Sequence, residues 1–267
     1  MKNPYLIALD LDGTLLNDEK IITEKTIKTL AEAKKKGHKV VFATGRPFRA
    51  SQAYYELLEL DTPSVNFNGA FVHNPTDPEW GVFHQPLPLE TATTVIQTCE
   101  AFEAQNIIVE VVDDVYLKYH DEFFINAFSE GGPRFHTGDL HELLKDDPTS
   151  IVIYPKDGNA DELRALLDRS HAEVIEQRSW GAPFNIVEIV KGGVNKAVGL
   201  SRIAESFGIP QERVIAFGDE DNDLEMIQYA GHGVAMANAI NELKGIANAV
   251  TKSNNDDGIA EYLQKVL

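Results

Sequence analysis

Tyr5-Leu6-Ile7-Ala8-Leu9-Asp10-Leu11-Asp12-Gly13-Thr14-Leu15-Leu16 runs from an apolar segment into two aspartates with a threonine close behind. Tyr5 to Leu9 is an apolar run of the length of a strand buried on both faces, as at the centre of a parallel sheet. Asp10 follows at its C-terminal tip. Side chains two apart on a strand point the same way, so Asp10 and Asp12 can face one pocket while Leu11 turns into the core. Gly13 allows the sharp turn that follows. Two adjacent carboxylates repel, and both ionise most easily around a divalent cation, so the stretch calls for a metal.

The chain has 267 residues, enough for a sizeable core and near the size at which one domain becomes two. Acidic residues number 42 against 24 basic ones, a formal charge of -18, which disfavours nucleic acid or an anionic membrane as the main partner. An anionic substrate would then need a local positive site or a metal. The single cysteine, Cys99, can form no intramolecular disulfide and fits a reducing compartment. No apolar run reaches the length of a membrane span, and the N-terminal run is broken by Asp10 with no cleavage site after it, so a cytoplasmic protein is expected.

After the first loop, Thr23 is a suitable N-cap for a helix ending near Lys36, with Gly37 as its stop. A strand from Lys39 to Ala43 runs into Thr44-Gly45-Arg46-Pro47, and Pro47 suits the first turn of a helix to about Leu60. This βαβα order predicts adjacent parallel strands, with Asp10 and Thr44 near each other at the edge where open α/β sheets bind ligands. Short strands are expected at Ser64 to Phe67 and Ala70 to His73, joined at Asn68-Gly69. From Pro86 the texture changes. A helix at Leu89 to Ala104, a hairpin about Asp113-Asp114, irregular sequence to Asp147, and further strands at Ser150 to Tyr154, His171 to Gln177 and Asn185 to Val190 predict an α+β module. The α/β rhythm resumes at Lys191. Asn195 caps a helix that begins with Lys196, and a buried strand from Val214 to Phe217 ends in Gly218-Asp219-Glu220-Asp221-Asn222-Asp223. The expected architecture is therefore α/β, a Rossmann-like core of residues 1–85 and 191–267 with a mainly parallel sheet, carrying an inserted α+β cap of residues 86–190.

Four separated segments thus place Asp10 and Asp12, Thr44, Lys196, and Asp219 with Asn222 and Asp223 just past strands or at helix starts. The Thr44 hydroxyl, the Lys196 ammonium and helix N-terminal amides suit a phosphate, and the acidic positions suit Mg²⁺. The sequence resembles the haloacid dehalogenase superfamily of phosphohydrolases, within it the Cof-like group with a large α/β cap. The resemblance rests on D-L-D-G-T at Asp10 to Thr14, T-G-R at Thr44 to Arg46, N-G-A at Asn68 to Ala70, K-G-G-V-N-K at Lys191 to Lys196 and G-D-E-D-N-D at Gly218 to Asp223.

That resemblance implies a Mg²⁺-dependent phosphatase of small phosphorylated metabolites, a monomer or weak homo-oligomer. Asp10 would attack phosphorus and form an aspartyl-phosphate, and Asp12 would be the general acid and base. Asp10, the Asp12 backbone carbonyl and Asp219 would ligate Mg²⁺, with Asp223 supporting that shell. Thr44, Gly45, Arg46, Lys196 and Asn222 would surround the phosphate or the rest of the substrate. A phosphotransferase or mutase shares the first half-reaction and is separated by whether free phosphate appears. A phosphorylatable switch needs only one acceptor aspartate, so Asp12 and the large insertion disfavour it. Taken singly, Thr44 would read as a helix cap, Lys196 as a surface lysine and Asn68-Gly69 as a turn. The histidines show no ligand spacing and read as structural or surface residues.

Overall fold

Leu6–Leu9 forms strand β1, in which all four side chains are wholly buried, in the computed structural model that describes residues 4–156, 159–171, 175–180 and 186–267. Helix α1 (Glu24–Lys35) follows, with the Thr23 hydroxyl accepting from the Thr26 amide at its start and Lys34 and Lys35 in its last turn, where they complement the helix dipole. Strand β2 (Lys39–Phe42) lies next. The helix expected from Pro47 to Leu60 divides into a 3₁₀ turn, Phe48–Ala50, and α2 (Gln52–Leu57). Ser51 stands at the break and turns its hydroxyl back onto the Phe48 carbonyl, a local bond that competes with the helical ladder. Strands β3 (Ser64–Asn66), β4 (Phe71–His73) and β5 (Val82–His84) form a small sheet in that order.

Contacts divide the chain into two compact units, His84–Val194 and the segments up to Phe83 and from Asn195 onward. The inserted unit contains α3 (Leu89–Ala101), β6 (Asn106–Val111), β7 (Asp114–Leu117), α4 (Glu122–Ala127), β8 (Arg134–Thr137), α5 (Leu140–Leu143), β9 (Ser150–Tyr154), α6 (Ala160–His171), β10 (Ile175–Trp180) and β11 (Ile186–Lys191). Its six strands run in the order β10-β11-β9-β6-β7-β8, antiparallel except for β7 with β8. Alternation sorts the two faces. Ile107, Val109, Ile151, Ile153, Val187 and Ile189 pack with α3 and α6, while Ile108, Val115, Leu117 and Val152 pack with Phe124 and Phe128.

The stretch expected to be irregular up to Asp147 holds α4, β8 and α5. Helix α4 is capped by the Asp121 carboxylate, which accepts from the Phe123 amide, and β8 is tied to β7 by a fork from Arg134 to Asp114. Arg134 is mostly exposed and β8 has no buried residue, so it shows no apolar alternation to read. His171, expected in a strand, closes α6, and residues 172–174 and Asn185 of the expected strands lie outside the described residues, as does the side chain of Trp180.

The second half of the other unit supplies α7 (Lys196–Ser206), β12 (Val214–Gly218), α8 (Leu224–Tyr229), β13 (His232–Ala235), α9 (Asn241–Ile246), β14 (Ala249–Val250) and α10 (Gly258–Val266). The core sheet has the order β14-β13-β12-β1-β2, every pair parallel, so β1 is central and flanked by β2 and β12. Chain order is discontinuous there, between β1 and β12, and such a point is where open parallel sheets leave a crevice beyond the C-terminal strand ends. Ile7, Leu9, Phe42, Ile215 and Phe217 fill the core on one face, and Leu6, Ala8, Val41, Val214 and Ala216 on the other.

Candidate active site

Three adjacent parallel strands end in Asp10 (β1), Ala43-Thr44 (β2) and Gly218-Asp219 (β12), so residues far apart in sequence meet at one edge. Helix α7 brings in the cation. The Asn195 side chain caps it by accepting from the Val198 amide, which fixes where the helix starts and leaves Lys196 as its wholly buried first residue. Lys196 Nζ donates to Asp10 Oδ1 and to Asp223 Oδ1, each at 2.7 Å. The second oxygen of Asp223 accepts the Asp219 and Glu220 amides at 2.9 and 3.2 Å, so that carboxylate is spent on holding the loop after β12 and on the lysine. Asp219 Oδ1 accepts the Thr14 hydroxyl at 2.5 Å.

Asp10, Asp219 and Asp223 are all buried, and one carboxylate oxygen from each lies within 4.8 Å of the others. Burial pushes the Asp10 carboxyl well above its ordinary range; the Lys196 charge opposes this, and the charges of Asp223 and Asp219 add to it. Burial also raises Asp219, to about 7, helped by the Asp223 charge and opposed by the Thr14 hydroxyl. For Lys196 burial alone favours the neutral amine, but the charges of Asp10 and Asp223 outweigh it and hold the ammonium above the usual lysine value. One buried cation thus faces three carboxylates. The excess negative charge and the all-oxygen donor set fit a hard divalent cation.

Asp12 stands apart from this group. Its side chain is partly exposed, and both carboxylate oxygens are occupied: Arg46 donates from Nε to Oδ2 at 2.7 Å and from Nη2 to Oδ1 at 2.8 Å, and Lys20 Nζ donates to Oδ1 at 2.7 Å. Burial works against ionisation there, but the Arg46 fork and then Lys20 outweigh it and bring Asp12 down to about 2. Arg46 also donates to the Ala50 carbonyl, and its guanidinium lies 5.8 Å from the Tyr54 ring centre.

Thr44 is buried, and its hydroxyl accepts from the Arg46 amide at 3.1 Å. Gly45 lies against the Asn68 carboxamide, where a β-carbon would come within 3.2 Å of Nδ2. Asn222 donates from Nδ2 to Asn68 Oδ1 at 3.0 Å. The structure therefore gathers Asp10, Lys196, Asp219 and Asp223 into one cluster, pairs Asp12 with Arg46 beside it, and links Asn222 to the T-G-R loop through Asn68.

Sequence reasoning gave no role to Thr14, Lys20 or Asn238, and read Asn68-Gly69 as a turn first and a possible substrate contact second. Thr14 lies inside D-L-D-G-T and was within reach of the same reading. Asn238 donates to the Gly13 carbonyl at 2.7 Å and accepts the Asn254 amide, tying the turn after Asp12 to a distant loop. Neither Asn238 nor Lys20 carries a local sequence signal for its contact.

The model of the haloacid dehalogenase-like hydrolase family matches residues 7–263. Among curated relatives, 5-amino-6-(5-phospho-D-ribitylamino)uracil phosphatase YitU of Bacillus subtilis is 51% identical over 98% of this chain and 97% of its own. Pyridoxal phosphate phosphatase YbhA of Escherichia coli is 28% identical over 97% of both. Among solved structures, TM0651 of Thermotoga maritima is similar with a TM-score of 0.84 and 29% identity, covering 99% of this chain and 98% of that one. A haloacid dehalogenase-like hydrolase of Bacteroides thetaiotaomicron also has a TM-score of 0.84, at 26% identity over 99% and 100%.

Proposed function

Because the chain belongs to the haloacid dehalogenase-like hydrolase family and is a phosphatase, we propose that it hydrolyses a small phosphorylated metabolite with Mg²⁺, using Asp10 as nucleophile. The single observation that carries this reading is the Lys196 ammonium bonded to both Asp10 and Asp223 beside Asp219, a buried cation next to the carboxylate that would attack. Lys196 orients Asp10 and neutralises charge where a phosphoryl group would sit. Thr44, at the end of the neighbouring strand, offers its hydroxyl to the same group. Asp10 and Asp219, with the Asp12 backbone carbonyl and with Asp223 supporting them, would hold Mg²⁺, which when bound offsets charge on the phosphoryl oxygens.

Attack by Asp10 forms an oxygen–phosphorus bond and breaks the ester bond, leaving an aspartyl-phosphate that water then hydrolyses. Asp12 gives a proton to the departing oxygen and takes one from the water. Arg46 and Lys20 hold Asp12 ionised, so their grip must loosen for it to carry the proton that it gives to the leaving oxygen. The inserted unit of residues 86–190 acts as a cap that chooses the leaving group, and a reducing cytoplasmic setting suits the one cysteine. The first substrate to test is 5-amino-6-(5-phospho-D-ribitylamino)uracil, the compound in the name of the YitU relative.

A screen of phosphorylated metabolites for Mg²⁺-dependent release of free phosphate, with Asp10→Asn beside the natural chain, tests the reading. Asp10→Asn keeps an acceptor for Lys196 and is expected to lower turnover by at least ~10⁴-fold with its melting temperature nearly unchanged. Undiminished phosphate release would mean that another group attacks.

A further inference from the structure

We propose that Asn68 is a positioning residue that sets Thr44, Asn222 and the start of the Lys196 helix in register with one another, an inference that rests on the phosphate-binding reading above. Asn68 is buried and has left-handed backbone angles, φ 52° and ψ 29°, as does Phe67 before it at φ 49°. Two consecutive non-glycine residues in that region persist only where surrounding contacts fix them, and such strain gathers at functional sites.

The contacts lead to three separate segments. The Asn68 amide donates to the Thr44 carbonyl at 3.1 Å, and its carboxamide fills the space beside Gly45. Its Oδ1 accepts the Asn222 amide group from the loop after β12. The next residue, Gly69, has φ +102°, and a β-carbon on it would lie 2.2 Å from the carbonyl oxygen of Asn195, the cap of the Lys196 helix. The turn therefore touches the three segments that carry Thr44, Asn222 and Lys196. One of the two Nδ2 hydrogens of Asn222 is given to Asn68, so Asn68 fixes the direction of the carboxamide that carries the other.

Backbone and side chain are separable here. Asn68→Gly removes the carboxamide and keeps the left-handed backbone at no steric cost, whereas Asn68→Ala removes the carboxamide and strains the backbone. The test measures kcat and KM for phosphate release, the Kd of inorganic phosphate with Mg²⁺ by calorimetry, and melting temperature, for Asn68→Gly, Asn68→Ala, Asn222→Ala and the double variant Asn68→Gly/Asn222→Ala. Asn68→Gly is expected to weaken phosphate binding and lower kcat/KM by about tenfold, and adding Asn222→Ala is expected to change little more, because the pair acts as a unit. Phosphate binding and turnover unchanged in Asn68→Gly would overturn the inference, as would losses that multiply in the double variant or that only follow melting temperature. Should the natural chain release no phosphate, the proposed reaction fails, and the phosphate Kd series still decides the role of Asn68.

Discussion

Lys196 donates to Asp10 over 2.7 Å with both side chains buried, so neither charge has water to fall back on. Lys196→Met keeps the length of the side chain and removes the ammonium. Three carboxylates then share one buried site without a protein cation. We expect kcat to fall ~10²- to 10³-fold, as when one electrostatic donor of a transition state is lost. Removing one partner of a buried ion pair also costs roughly 3–5 kcal/mol of stability. Denaturant titration with and without Mg²⁺ checks this, and the cost should shrink when the ion is present.

Metal affinity should depend on pH near neutrality. Asp219 is raised to about 7 and Asp10 is raised as well, both first by burial. In the metal-free protein Asp219 keeps its proton up to about 7, and a cation binds the carboxylate only. Affinity for Mg²⁺ should therefore weaken on acidification below 7, by about tenfold per pH unit for each proton displaced. The linked stability has the opposite sign. Because the folded state holds this proton more tightly than an ordinary aspartate at 3.8, the metal-free protein should lose stability as pH rises from about 4 to 7. Calorimetric Mg²⁺ titrations in buffers of different ionisation enthalpy, run at pH 6 and 8, measure the protons released. Equal affinity at both values would contradict the raised Asp219.

The legible part of this site is the part fixed by the sheet. Asp10, Thr44 and Asp219 follow apolar runs that read as buried strands of one parallel sheet, so their meeting at one edge followed from the βαβ connections. Lys196 was legible because Asn195 marks a helix start. The partners of Asp12 were not. Lys20 reaches it from an exposed turn whose backbone, at φ +59°, is set by the Asn17 side chain accepting the Glu19 and Ile21 amides, and no periodicity announces such a turn. Asn222, expected beside phosphate, also donates to Asn68, a long-range contact that local spacing does not encode. In the inserted unit, β8 stayed hidden because an exposed parallel edge strand has no buried face to alternate with.

Gly13 couples the turn after Asp12 to the acidic cluster. It has φ +74°, and a β-carbon on it would lie 2.2 Å from Asp219 Oδ2. Gly13→Ala must strain the backbone and displace the Asp219 carboxylate together. The expected cost is ~1–3 kcal/mol of stability from the backbone alone. Mg²⁺ affinity should fall as well, by about tenfold or more, since a ligand moved by an ångström is poorly placed for an ion that demands near-octahedral geometry. Thermal melting and a Mg²⁺ titration separate the two effects; a variant with natural affinity would show that Asp219 does not hold the ion.

Acid should loosen the inserted unit through its histidines. His171 is buried at the end of α6, with Nε2 3.0 Å from the Thr98 hydroxyl of α3, and burial lowers its pKa. His84 is lowered by burial too, against the charge of Asp147, and its Nε2 is 3.0 Å from the Thr149 hydroxyl. A histidine with a depressed folded pKa stays neutral while its unfolded counterpart, near 6.5, takes up a proton. Its contribution to stability is therefore complete above 6.5 and is lost as pH falls toward the folded value, with a slope of at most ~1.4 kcal/mol per pH unit for each group. Scanning calorimetry from pH 7.5 to 5, with Mg²⁺ in excess so that Asp219 stays ionised and its opposite linkage is absent, should show the melting temperature of the natural chain falling. His171→Gln, which offers a neutral amide to Thr98 at every pH in that range, should fall less steeply. Parallel slopes for the two proteins would show that His171 titrates alike in the folded and unfolded states.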